Sequence, residues 1–153
     1  MQWLALKPRP DIACVVAMCA SLQTRDPREV VRVCEEIWKY VLHTRDVCCD
    51  MSPDPDTEWI VRISADANWA PRGDRSRTGV VIRVMGVIVH GLSHKQSIAA
   101  FASHEAELNA AATGVNVGIC IRNLTSELRE RPPTLKLDQD SKSTIVTMLH
   151  EVT

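Results

Sequence analysis

The chain reads as a mixed α/β domain preceded by an α-helical hairpin, and three observations predict this. Residues 59–66, 78–85 and 87–93 are β-branched runs separated by polar or glycine breaks, the signature of neighbouring strands. Residues 98–113 switch to alanine-rich, helix-favouring sequence, and 134–137 switch briefly back. The first 49 residues carry two helix starts instead, at Pro10-Asp11 and at Asp26-Pro27.

The elements follow in order. Residues 10–22 read as a helix, apolar all round through Ile12, Val15, Val16, Met18, Cys19 and Leu22, and such a helix is expected to be buried. Asp26 suits an N-cap and Pro27 the first helical position. Val30, Val31, Cys34, Ile37, Trp38, Val41 and Leu42 then recur at three and four, predicting an amphipathic helix over about 27–42 that pairs with the first. Residues 50–58 are polar and punctuated by proline, which marks a linker between a part at 1–49 and a part at 59–153. A strand is expected at 59–66, a loop at 70–77, and a tight hairpin of 78–85 and 87–93 turning at Gly86. Gly114 and Gly118 are expected to interrupt the helix that starts at 98, with helical pattern resuming from Ile119 to Leu128. Glu130-Arg131-Pro132-Pro133 breaks the chain before a short strand at 134–137 and a closing helix at 141–150. The order after the linker is β-β-β-α-(α)-β-α.

Composition narrows the function. The 153 residues are 45% hydrophobic and 24% charged, with a formal net charge of −1. Bulk polyanion binding of the histone kind is excluded, so any nucleic-acid contact must come from a local basic patch or from metal ions. One Phe, one Tyr and four Trp are too few for a row of stacked bases. The six cysteines form no CxxC pair and most read as reduced, buried small apolar residues of an intracellular chain, cytoplasmic or nuclear. No signal peptide and no membrane-spanning run is expected.

Three acids stand in contexts that belong together. Asp66 ends a strand-like run, Glu107 lies in a helix-like run, and Asp138 ends another strand-like run. Carboxylates delivered to one point from strand, helix and strand suit a hard divalent cation such as Mg²⁺, and a pair of such ions can cut a phosphodiester. Glu105 rivals Glu107 and Asp140 rivals Asp138. Trp69 is expected to plug the core beside the site. Arg72, Arg75 and Arg77 cluster in the loop after Asp66, where they grip substrate phosphates or stay solvated; Lys95 and Gln96 touch nucleic acid or merely end a strand. The five histidines are scattered, and none is assigned to a metal.

The order of elements and acids resembles the ribonuclease H fold, and the wording resembles copia-type retrotransposon polyproteins. Ala65-Asp66-Ala67-Asn68-Trp69-Ala70 is similar to the family's SDADWA, Ser93-His94-Lys95-Gln96 to SKKQ, Ser103-His104-Glu105-Ala106-Glu107-Leu108 to STEAEY, and Leu137-Asp138-Gln139-Asp140-Ser141 to CDNQSA. Gly73-Asp74-Arg75-Ser76-Arg77-Thr78-Gly79 is similar to the arginine-serine-glycine segment after the first motif. Trp3-Leu4-Ala5, Arg9-Pro10-Asp11-Ile12 and the stretch Trp38 to Asp46 are similar to the family's connection between polymerase and ribonuclease H. Asn68, Leu108 and Gln139 depart from the family's residues.

The resemblance implies a ribonuclease H-like domain that hydrolyses the RNA strand of RNA–DNA hybrids during reverse transcription. It would hold two Mg²⁺ (or Mn²⁺) ions about 4 Å apart on Asp66, Glu107 and Asp138, and its partner would be the reverse transcriptase portion of the same polyprotein. That fold also has a fourth carboxylate, a fifth strand and a last helix beyond the helix at 141–150, while the sequence stops at Thr153. The ribonuclease H-like part is therefore expected to be truncated. The alternative is an inactive retroelement relic or fragment that only binds nucleic acid or packs.

Overall fold

A computed structural model describes residues 1–6, 8–54, 57–70 and 74–150. The chain divides into two compact units, Met1–Asp50 and Met51–Thr153.

The first unit is helical: α1 (Gln2–Leu6), a 3-10 turn (Pro10–Ile12), α2 (Ala13–Leu22) and α3 (Pro27–His43). Asp26 caps α3 by accepting from the Glu29 amide at 3.1 Å, as its place before Pro27 predicts. Ala5, Ile12, Cys19 and Ile37 form the core, with Val15, Val16, Val30, Val33 and Val41 packed around it. Arg9 is buried beside this core. It grips Asp11, donates to Thr44 O at 3.2 Å and Thr44 Oγ1 at 2.7 Å, and lies over the Tyr40 ring. One guanidinium thus ties the start of α2 to the end of α3, and its hydrogen bonds hold the Asp11 carboxyl below its ordinary range. Two expectations change. α1 has no strong sequence signal and was not foreseen. α2 is not buried all round, because Cys14 and Met18 face outward from a unit with too few helices to cover them. The cysteines also depart from expectation: only Cys19 of the six is buried, Cys34 and Cys49 are half-buried, and Cys14, Cys48 and Cys120 are exposed.

The second unit is one mixed sheet with helices. Strands β1 (Ile60–Asn68), β2 (Arg77–Val84), β3 (Val87–Lys95) and β4 (Thr134–Asp138) lie in the order β3-β2-β1-β4. β1 pairs antiparallel with β2 and parallel with β4, and β2 pairs antiparallel with β3. The β2–β3 turn has Met85 at φ 50° and Gly86 at φ 81°, the two positive angles that a twist-matched two-residue hairpin requires. Helices α4 (Ser103–Ser126) and α5 (Lys142–His150) complete the unit.

Alternation sets the core. Val61, Ile63 and Ala65 of β1 and Val80, Ile82 and Val84 of β2 form one buried cluster, with Val117 and Ile121 of α4 packed on it. α4 runs unbroken for 24 residues through Gly114 and Gly118, contrary to the expected interruption. A Cβ on Gly114 would stand 2.9 Å from Ile63 Cγ2 and 3.2 Å from Ala65 Cβ, and one on Gly118 would strike the Ile63 side chain. These glycines let the helix touch the sheet; they do not end it. α4 also begins at Ser103, later than 98, because Glu105 reaches back to accept from the Phe101 amide at 2.7 Å and defines the first turn. Among the described residues, no helix is long and apolar enough to cross a membrane.

Candidate functional site

β1 and β4 are parallel, so their carboxyl ends open in the same direction, where α/β sheets tend to bind ligands. β4 accompanies β1 only as far as the Ser64–Asp138 pair. Asp66, two residues on, therefore has no strand beside it on that flank. The first turns of α4 bring Glu107 to this gap, and the segment between β4 and α5 brings Asp140. One carboxylate oxygen from each of Asp66, Glu107 and Asp140 lies within 4.8 Å of the others.

The electrostatics are those of a site short of positive charge. Asp66 and Asp140 are exposed and Glu107 is half-buried. Burial, then the charges of Asp66 and Asp140, push the Glu107 carboxyl above its ordinary range, against the Ala67 backbone amide and the neighbouring Gln139 side chain, which approaches it without closing a well-aligned hydrogen bond to Oε2. Glu107 Oε2 is buried without a hydrogen-bond partner, as is Gln139 Nε2. A buried carboxylate oxygen left unpaired beside two other carboxylates is a poor structural arrangement and a good set of hard oxygen donors. The donor chemistry fits a divalent cation.

The sequence-predicted residues divide. Asp66 and Glu107 are brought together. Asp138 is not with them, since its carboxylate pairs with Arg62 at 3.2 Å, and Asp140 takes the third place. Position along the sheet and the pairing with Arg62 separate Asp138 from them. Asp138 stands directly beside Ser64 of β1, on the face that carries Arg62, and its carboxylate is taken up by that guanidinium. Asp140 lies two residues past the end of β4, level with Asp66 rather than with Arg62. Glu105 is engaged with the Phe101 amide just before α4.

Among the basic and amide residues, Arg75 is exposed and donates to Ser97 O at 3.4 Å. Arg77 opens β2 opposite Asn68 and Lys95. Lys95 pairs with Asp74 at 2.6 Å. Gln96 is 4% exposed, and its amide nitrogen donates to Thr78 Oγ1 and Ala106 O, so it is placed inside the fold, joining the end of β3 to α4. Arg72 lies outside the described residues. Trp69 is 40% exposed and is no core plug; its indole donates to Ala100 O at 3.4 Å. Gln139, marked in the sequence only as a departure from the family's residue, lies at the cluster, where its Oε1 accepts from the Asp140 amide at 3.1 Å.

Comparison with known proteins gives one kind of match. The chain is similar to the Transposon Ty1-ER2 and Ty1-MR2 Gag-Pol polyproteins of Saccharomyces cerevisiae, at 30% identity over 122 residues in each case. The similarity covers 77% of this chain and 7% of each yeast polyprotein. No family model and no solved structure matches.

Proposed function

We propose that this chain, a retroelement Pol-derived domain by its similarity to the yeast transposon polyproteins, is a ribonuclease H-like domain of a copia-type element that acts on RNA–DNA hybrids. The observation that carries the reading is the convergence of Asp66, Glu107 and Asp140 at the carboxyl ends of two parallel strands. A four-stranded sheet of order β3-β2-β1-β4 with a long helix on one face is compatible with that fold.

In this reading Asp66, Glu107 and Asp140 hold Mg²⁺ or Mn²⁺. Bound there, the metal would supply an activated water and charge stabilisation for phosphodiester hydrolysis. The protein supplies position. Gly114 and Gly118 let α4 sit close on β1, which fixes Glu107 relative to Asp66. Gln139 holds the Asp140 backbone from the preceding residue. Arg75 and Arg77, on the chain that follows Asp66, meet substrate phosphates and set the register of the hybrid, whose duplex is read by shape and 2′-hydroxyls rather than by base sequence. The reading makes the reverse transcriptase portion of the same polyprotein the natural partner, and the compartment an intracellular one.

The test is cleavage of a labelled RNA–DNA hybrid with Mg²⁺ or Mn²⁺. Metal-dependent cutting by the chain that disappears in Asp66→Asn and in Asp140→Asn, with a fall of about 10² or more, is the expected result, since the charge stabilisation removed is of oxyanion-hole size or larger. Loss in Asp138→Asn with Asp140→Asn unaffected would overturn the assignment of the third ligand. A second reading, a non-catalytic nucleic-acid-binding or structural module, draws on the same cluster: three acids converge among the described residues, and no fourth joins them. A folded, metal-binding chain that cuts nothing would favour it.

A further inference from the structure

The face of the sheet opposite α4 carries a row of cations that nothing in the acid cluster uses. Arg83 of β2, Arg62 of β1 and Lys136 of β4 are direct cross-strand partners, Arg62 to Arg83 on one flank and Arg62 to Lys136 on the other. All three alternate with the core residues Val61, Ile63, Ile82, Val84, Leu135 and Leu137, so they share the face that α4 leaves open. Like charges directly opposite on neighbouring strands destabilise a sheet. Here two such pairs meet at Arg62. Asp138 offsets Arg62 at 3.2 Å. Arg83 touches only the Ser64 hydroxyl at 3.4 Å, and Lys136 has no acidic partner among the described residues. A cavity of about 270 Å³ opens beside Arg62 and Arg83, with Glu58 on its rim. It has room for roughly nine waters at ~30 Å³ each, hence for a hydrated phosphate.

We infer that this row is a binding site for the phosphodiester backbone of nucleic acid, on the same face of β1 as Asp66 but built from cations that take no part in the acid cluster. Adjacent strands are about 4.8 Å apart, so the three cations span roughly 10 Å. One nucleic-acid strand presents a phosphate about every 3.4 Å along a duplex axis, which brings two or three consecutive phosphates over the row. The phosphates relieve the repulsion that the register builds in. Asp138 competes with them for Arg62, so it tempers affinity. The site does not rest on the nuclease reading, because phosphate contacts need no metal.

The experiment is fluorescence anisotropy of a labelled single-stranded oligonucleotide with the full chain in EDTA, which takes metal at the acid cluster out of play, across a KCl series. The triple variant Arg62→Gln/Arg83→Gln/Lys136→Gln is expected to bind at least tenfold more weakly at low salt. The slope of log affinity against log salt should shrink by about 2, at ~0.7 per lost phosphate contact. Asp138→Asn is expected to bind more tightly, and Lys142→Gln on α5 to bind as the parent does. If the triple variant unfolds, Lys136→Gln carries the test alone, with a slope smaller by ~0.7. An unchanged slope in the folded variants overturns the site. Equal binding of poly-glutamate overturns the phosphodiester assignment, and so does an equal rise in melting temperature from inorganic phosphate at the same phosphate concentration.

Discussion

Glu107 is the residue on which the acid cluster turns. Its carboxyl is raised by burial and by its two acidic neighbours, so the folded chain holds that proton more tightly than the unfolded chain does. The stability this contributes is fully present below the ordinary value of 4.5 and is lost as pH rises through the folded value. At pH 7 without metal, Glu107 therefore costs stability. Glu107→Gln is expected to melt higher than the parent at pH 7 in chelator, and to lose that advantage below pH 4. Divalent cation should reverse the order. At a hundred times its Kd, Mn²⁺ adds about 2.7 kcal/mol to a chain that binds it and nothing to a variant that does not. Thermal melts with and without metal read both effects. A Glu107→Gln chain that melts lower than the parent at pH 7 in EDTA would refute the electrostatic account.

At this scale the sequence was partly legible. Asp66 and Glu107 stand in contexts that announce them: a polar residue closing a β-branched run, and an acid just inside an alanine-rich helix. Asp138 and Asp140 are separated by one residue, and a strand's alternation cannot choose between them until its end is known. β4 ends at Asp138, which stands within reach of Arg62, whereas Asp140 lies beyond the strand and level with Asp66. Gln96 misled for a related reason. Nothing local says that a glutamine after a strand turns inward to join a helix ten residues on.

Among the elements, α4 carries the most specific packing. Its glycines read as breaks because glycine disfavours an isolated helix by about 1 kcal/mol relative to alanine. That propensity loses to contact with the sheet, which only a residue without a Cβ allows at these two positions. Gly118→Ala gains the propensity and forces the methyl into Ile63; overpacking of this kind costs about 1–3 kcal/mol, so net destabilisation is expected. Ile63→Val in the same chain removes the Cδ1 that the methyl strikes. The double variant should therefore melt higher than the sum of the two single changes predicts, a coupling that a double-mutant cycle measures. Additive effects would mean that the close approach is not what holds the glycine. The strands themselves were legible from β-branched runs, and the β2–β3 turn from Gly86, whose φ of 81° suits glycine best. α1 was not, being only five residues long and held by the contacts of Ala5 rather than by its own pattern.

At the scale of the molecule, each unit has its own buried cluster: Ala5, Ile12, Cys19 and Ile37 in one, and the β1–β2 cluster in the other. A unit that buries its own core is expected to fold by itself. Residues 51–153 expressed alone should melt cooperatively and show the Mn²⁺ binding proposed for the acid cluster, as calorimetry would record. Failure to fold without residues 1–50 would show that the two units are not independent. The division after Asp50 falls where the sequence turns polar and proline-marked and apolar periodicity stops.

β1 has one further consequence, which concerns how this gene can change. Along nine residues it alternates two unrelated duties: odd positions bury isoleucine, valine and alanine under α4, and even positions carry Arg62, Ser64 and Asp66. A single-codon insertion or deletion before the strand, if the hairpin partner held its place, would exchange the two sets at once, sending charge inward and aliphatic side chains out. Point substitutions can erode the acids one by one while the fold survives. A frame-preserving slip of one residue in β1 has no such gradual route; it ends the core, the cation row and the acid cluster in the same step.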